Sequence, residues 1–346
     1  MRHPAARVPA PGRRQLIRRL RPGFVALAGL VPLLVVTGCN PISSLSSSSS
    51  GAVIKVGAVP GVENANLYVA SHGGYFARAG VKVKIVKFES VAKEISALNA
   101  GSVQAIAADY GEMFYDESVA AHPIYRVLAD GYDAAPGVLE IVTMPDSSIT
   151  SPSQLQDATI PVPNTDMDNN TTQGDPNTLA VAAATAVLQS DGVNLAGVTW
   201  KPMSPSQELS ALTSGRSKAV LLSGLEVYLA QQEGAVELID ACSGPTSQIP
   251  LDGFFSLGTW VKENPQAARD FQQGLYQADA AAALPGPIQQ ALPAYARLSS
   301  QQAHLVTTGT YPLSTIVGNL QHTADMMEAQ SMTKSDVNVT SMVVRQ

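Results

Sequence analysis

Apolar and polar positions along residues 53–283 alternate between two periods. Val53 to Val59 is a β-rich run that stops at Pro60-Gly61. Asn66 to Gly74 has helical composition, with Gly80 placed as a glycine cap behind Tyr75 to Ala79. Val81 to Phe88 alternates apolar residues with lysines, the period-two mark of a half-buried strand. A short helix over Val91 to Asn99, a buried strand over Val103 to Ala108, a helix to about Ala121 and a strand over Ile124 to Ala129 follow. This β-α-β-α-β-α-β order predicts a largely parallel sheet covered by helices on both faces.

A second set of elements follows the first. Val138 to Met144 is a strand where the chain leaves the first unit, and Ser151 to Leu155 starts a short helix. Strands are expected at Thr159 to Val162, Val198 to Lys201, Ala219 to Leu222 and Val236 to Ile239. Helices are expected from Thr178 through Gln189, from Pro205 to Ser214 and from Leu225 to Glu233. Phe254 to Val261 reads as a return strand, and Asn264-Pro265 opens a long Ala- and Gln-rich helix. The remainder is helical up to a polar tail. Boundaries follow: 1–38 and 39–51 ahead of the fold, 52–140 a first lobe, 141–250 a second, 251–330 a return to the first, and 331–346 the tail.

The N-terminus changes this picture. Seven arginines and no acid precede an apolar run from Phe24 to Val36, which is interrupted by Pro32 and too short for a permanent span. That is the layout of an export signal. It ends in Val36-Thr37-Gly38-Cys39, which resembles a bacterial lipobox, so Cys39 is expected to carry lipid after residues 1–38 are removed. The Ser-rich stretch to Gly51 reads as a tether. Arg13-Arg14 fits a twin-arginine signal only loosely, so the export route stays open.

Charge and chemistry then narrow the function. The chain carries 22 Lys+Arg and 28 Asp+Glu, and loss of the seven leader arginines leaves a formal charge of −13. Such an acidic body excludes nucleic acid as a partner. After Cys39 only Cys242 remains, read as a small buried residue. His72, His122, His304 and His322 are scattered singly, and no metal-ligand spacing, nucleophile elbow or phosphate loop is present. No catalytic residue, metal or cofactor is therefore expected.

Several phrases, in order, resemble one family. Gly73-Gly74-Tyr75-Phe76-Ala77-Arg78-Ala79-Gly80-Val81-Lys82-Val83 is similar to its "GYF…GL-x-V" segment. Ala97-Leu98-Asn99-Ala100-Gly101 and Ala211-Leu212-Thr213-Ser214-Gly215 resemble its "AL-x-x-G" steps, Ser148 to Leu155 its entry to the second lobe, and Asn264 to Phe271 its return helix. The family is that of the periplasmic binding proteins of nitrate-, taurine-, aliphatic-sulfonate- and thiamine-pyrimidine-type ABC importers. This sequence departs from it at Gln104, Lys218 and Gln154, where the family commonly has Asp. The resemblance implies a two-lobed α/β fold of the type II periplasmic-binding-protein kind with the ligand in a cleft between lobes. It also implies an ABC permease and ATPase as partners and a monomeric receptor on the outer face of the cytoplasmic membrane.

In open α/β sheets ligands bind beyond the carboxyl ends of the strands, at helix N-termini. Four such turns can be named. The first offers Glu63, Asn64 and Asn66, the second Asp109, Tyr110 and Glu112, the third Asn164, Thr165 and Asp166 with Thr178, and the fourth Ser223 and Glu226; Tyr132 and Asp133 border them. Their acids, with Tyr110 and Tyr132, suit an amine-bearing or pyrimidine-like solute through hydrogen bonds, stacking and cation–π contact. An aliphatic sulfonate or nitrate held by backbone N–H groups is the alternative, and a sensor or surface-interaction lipoprotein is the non-transport one.

Overall fold

The computed structural model describes residues 53–164, 178–284 and 286–345. Cys39, the tether, Thr165 and Asp166 lie outside the described residues.

The first half runs β1 (Val53–Ala58), α1 (Ala65–His72), α2 (Tyr75–Arg78), β2 (Lys82–Lys87), α3 (Val91–Asn99), β3 (Ala105–Asp109), α4 (Tyr110–Val119) and β4 (Tyr125–Asp133). The second comprises β5 (Leu139–Thr143), β6 (Thr159–Pro163), α5 (Leu179–Ser190), β7 (Thr199–Met203), α6 (Pro205–Thr213), β8 (Val220–Ser223), α7 (Leu225–Gln232) and β9 (Val236–Asp240). The chain then returns as β10 (Pro250–Leu257), α8 (Gly258–Glu263), α9 (Pro265–Ala282), α10 (Pro287–Tyr295), α11 (Ser300–Leu305), α12 (Val317–Ala329) and α13 (Val339–Met342).

Local chemistry explains many of these boundaries. Ser90 caps α3 through its side chain, which accepts the N–H of Lys93. Pro205 stands at the first position of α6 behind Ser204, whose side chain forms a capping box with Gln207. The β2 lysines Lys82, Lys84 and Lys87 point to solvent on a strand at the edge of its sheet, where charge deters pairing with another chain.

The first sheet has the order β2-β1-β3-β10-β4, with β1 parallel to β2 and β3 and with β10 antiparallel to both its neighbours. In the second half β5 is antiparallel to β8 and β9, β6 is parallel to β7, and β6 packs beside β8. The spatial order β7-β6-β8-β5-β9 thus repeats the first. In each half the strand arriving from the other one is inserted antiparallel, so the sheets are mixed where the element order predicted largely parallel ones.

Side chains such as Leu67, Ile106, Phe254 and Phe255 are fully buried in the main core, each contributing about 1.5–3 kcal/mol. A smaller cluster, including Val142, Leu212, Leu222 and Val227, lies beneath α6 and α7. Cys242 is buried, and burial pushes its thiol up to about 12. Three expectations shift. The first predicted helix is split at Gly73-Gly74 into α1 and α2. The return strand begins at Pro250 and ends at Leu257, four residues earlier than its composition indicated. The polar tail is partly core: Val337, Val339 and Met342 are buried, and the Val344 N–H donates to the Val127 carbonyl along the outer edge of β4. No helix among the described residues is long and apolar enough to cross a membrane.

Candidate functional site

The turn after β1 is built by its own side chains. Asn64 accepts the Gly61 N–H at 3.2 Å and donates to the Val59 carbonyl at 3.0 Å, closing the loop on itself. Tyr311 donates to the Val62 carbonyl from beneath, and packs edge-on against Tyr132, whose hydroxyl accepts the Gly309 N–H. The fixed turn leaves Glu63, half-buried, as its projecting group.

That group meets the second half. Gly224, between β8 and α7, has φ +54°, a conformation that side-chain-bearing residues rarely adopt, and a Cβ there would stand 3.4 Å from Glu63 Oε1. Gly111, in the first turn of α4, marks a second contact: a Cβ there would lie 2.9 Å from the backbone nitrogen of Leu179, the first residue of α5. The first and fourth strand-end turns therefore oppose one another, and the start of α4 opposes the start of α5. This is the line along which a molecule can be held between two sheets.

Its electrostatics are dominated by acids. Burial raises the Glu63 carboxyl, with its own N–H and that of Val62 pulling the other way. Burial and then the charge of Glu63 raise Glu226. Glu208, on α6 and almost wholly buried, is pushed up to about 9 by burial and by Glu226. Asp252 is raised well above the carboxylate range by burial, then by Glu63, Asp109, Glu94 and Asp130. On β4, burial raises both Asp130 and Asp133, the latter to about 7, and each acts on the other, so the pair retains a proton near neutrality.

The sequence-predicted residues divide into cleft groups and supports. Glu63, Glu226 and Ser223 stand at the opposed turns, all half-buried. Asp109 caps α4, its Oδ1 accepting the N–H groups of Gly111 at 2.6 Å and Glu112 at 3.3 Å; Glu112 is half-buried on the same turn. Thr178 caps α5 by accepting the Val181 N–H at 3.3 Å, and Asn164, buried at the end of β6, donates its backbone N–H to Met203. Asn66, Tyr110 and Tyr132 do not face the cleft. Asn66 is fully buried and donates to the Gly131 carbonyl, and the Tyr110 hydroxyl donates to Asp130 at 3.1 Å. Tyr110 packs against Phe114 and Phe255, so neither it nor Tyr132 offers a ring face for stacking.

The residues missed are Glu94, Asp130, Glu208 and Asp252. Two of them sit in Asp-Gly pairs, Asp130-Gly131 and Asp252-Gly253, a composition that signals turns. Here both pairs lie inside strands and face one another across β4 and β10, where the ladder register shifts. An acid inside a strand-length apolar run was the available signal. Among the described residues, no three His, Cys, Asp or Glu side chains are grouped to hold a metal ion.

Known proteins share this architecture. The family model described as NMT1/THI5 like matches residues 62–285. No curated protein matches the chain in sequence. The periplasmic aliphatic sulphonate binding protein SsuA of Escherichia coli superposes with a TM-score of 0.64 at 16% identity, over 85% of this chain and 92% of its own. The periplasmic nitrate-binding protein NrtA of Synechocystis PCC 6803 gives 0.64 at 12% identity, over 84% and 85%. The desulfurization enzyme DSZB gives 0.63 at 13% identity, over 85% and 96%. At these identities the likeness establishes the fold, a two-lobed periplasmic-binding-protein fold of type II with its cleft between the lobes.

Proposed function

The chain belongs to the NMT1/THI5-like family, and from that membership we propose that it is an extracytoplasmic solute-binding protein that captures a small molecule for an ABC importer. The observation that carries this reading is the opposition of the two halves at their strand ends and helix starts, with Glu63 set against Gly224 and Gly111 against Leu179. Two neighbours of the same fold bear the names of binders, of aliphatic sulphonate and of nitrate; the desulfurization enzyme shares the fold. In this reading residues 1–38 are removed, Cys39 is acylated, and the tether to residue 51 holds a monomeric receptor at the outer face of the cytoplasmic membrane. Permease and ATPase subunits receive its cargo.

The cargo is an amine-bearing or pyrimidine-like solute. With Tyr110 and Tyr132 buried, this rests on the carboxylates and no longer on stacking. The charge of Glu63 raises the cost of ionising Glu226 from the opposite lobe, and a bound donor or cation relieves it. A sulfonate or nitrate would add negative charge to the same space.

A thermal-shift screen of the full chain in detergent against amines, pyrimidines, sulfonates and nitrate tests the receptor reading. A true solute at 100 times its Kd stabilises by about 2.7 kcal/mol. A chain whose melt is moved by no small solute, yet which co-purifies with a membrane sensor, is the interaction lipoprotein instead.

A further inference from the structure

Charge is unevenly spread along this acidic chain. Between Glu63 and Glu89 it has four cations, Arg78, Lys82, Lys84 and Lys87, and no acid. The fold adds a fifth. Strand β1 pairs β2 in parallel, with Val53 opposite Lys82 and Lys55 opposite Lys84. Partners across such a ladder stand about 4.8 Å apart and point to the same face. Lys55, Lys82 and Lys84 therefore form one patch, on the face away from the buried Ile54 and Val56. All three are exposed, and among the described residues none of them has an ion-pair partner. The side chain beside them, just before β3, is neutral: Gln104 Oε1 accepts the Lys55 N–H at 3.0 Å. Lys87 belongs to the other face, where its Nζ donates to the Tyr295 carbonyl at 3.2 Å.

Protection of a sheet edge accounts for lysines on β2 but not for Lys55, because β1 lies inside the sheet between β2 and β3. Like charges opposite one another across a ladder are also destabilising, unless an anion faces them. We propose that Lys55, Lys82 and Lys84 dock the first lobe on the anionic phospholipid headgroups of the membrane that anchors it. The inference rests on the lipoprotein reading above. Val53, paired with Lys82, is where the tether enters the fold, and Cys39 lies fourteen residues before it. A flexible Ser-rich chain of that length spans about 20 Å, so the face at its root is held closest to the bilayer. The body is otherwise acidic and is repelled by such a surface. Each lysine close to an anionic leaflet favours contact about fivefold. The cleft lies at the other, carboxyl ends of β1 and β3, so a receptor docked this way keeps its opening toward the solution.

Amine footprinting tests this. The full chain is added from detergent to preformed vesicles of phosphatidylglycerol or of phosphatidylcholine, floated with them, and treated with a membrane-impermeant acylating reagent. Labelling of Lys55, Lys82 and Lys84 should be slower by about fivefold or more on phosphatidylglycerol than on phosphatidylcholine. The exposed Lys201, Lys218 and Lys262 should keep their rates. At about 1 M salt, where the Debye length is about 3 Å, the protection should vanish. The double variant Lys55→Glu, Lys82→Glu should melt like the parent, both side chains being exposed, and should label at Lys84 equally fast on both vesicles. Three outcomes overturn the lysine face: equal rates for the parent's three lysines on both vesicles, equal slowing of Lys201 and Lys218, or protection of Lys84 that survives the double variant. In each of these, flotation with phosphatidylcholine leaves the lipid anchor standing. Flotation with phosphatidylglycerol alone, the three lysines protected, supports the face and overturns the anchor. A chain that floats with neither vesicle overturns both.

Discussion

Glu208 shows what burial does to one residue. Its carboxyl is buried under α6, one oxygen has no hydrogen-bond partner, and Glu226 adds its charge. The folded protein holds this proton to about pH 9, whereas the unfolded chain releases it near 4.5. A carboxyl raised on folding contributes stability that is fully present below the unfolded value and is lost as pH rises through the folded one. Glu140 and Asp133, both raised to about 7 by burial, add to the loss over the lower part of that range. Urea midpoints should therefore fall between pH 5 and pH 9. Glu208→Gln should flatten the curve and gain on the order of 2 kcal/mol at pH 8; an unchanged slope would mean that Glu208 is solvated. None of this was legible in the sequence, where Glu208 is an ordinary acid in the first turn of a helix. The same blindness applied to Tyr110 and Tyr132: residue type announced aromatic chemistry, but only the three-dimensional packing reveals that Asp130 and Gly309 already occupy their hydroxyls.

At the scale of elements the periodic signals were strong. The Lys-alternating strand and the capped helices α3, α5 and α6 lie where their patterns put them. So do the turns after β1, β3 and β8, because each marks a local change from a strand period to a helical one. Failures came where local composition and tertiary context disagreed. Asp252-Gly253 has turn composition yet lies inside β10, which begins at Pro250 and not at Phe254. How the turns pair is not a local property at all, since α4 and α5 belong to different halves of the fold and meet only in three dimensions. Their meeting at Gly111 is tight, with the Asp109 carboxylate and Leu179 both under 3 Å from a Cβ placed there. Gly111→Val should wedge these helix starts apart. The expected result is a larger radius of gyration by small-angle scattering and a thermal response to solute reduced at least severalfold. A variant as compact as the parent, with full response, would show that α4 and α5 need not approach.

The whole molecule is interleaved. Its first sheet takes β10 from beyond the whole second half and sets it between β3 and β4, and the last described residues lie along the outer edge of β4. Removing residues 337–346 should cost about 3–6 kcal/mol from Val339 and Met342 alone. It should also bare the β4 edge to other chains, seen as a lower melting temperature with aggregation by light scattering. A truncated protein that melts like the parent would show the segment to be dispensable. The interleaving also sets a clock. During synthesis β10 emerges more than a hundred residues after β4, a delay of roughly 5–20 s at ordinary elongation rates. Until then the first sheet lacks a central strand, and β3 and β4 have no neighbour to pair with between them. A nascent chain of this design cannot close its first sheet until the whole second half has been made, so the two halves finish together.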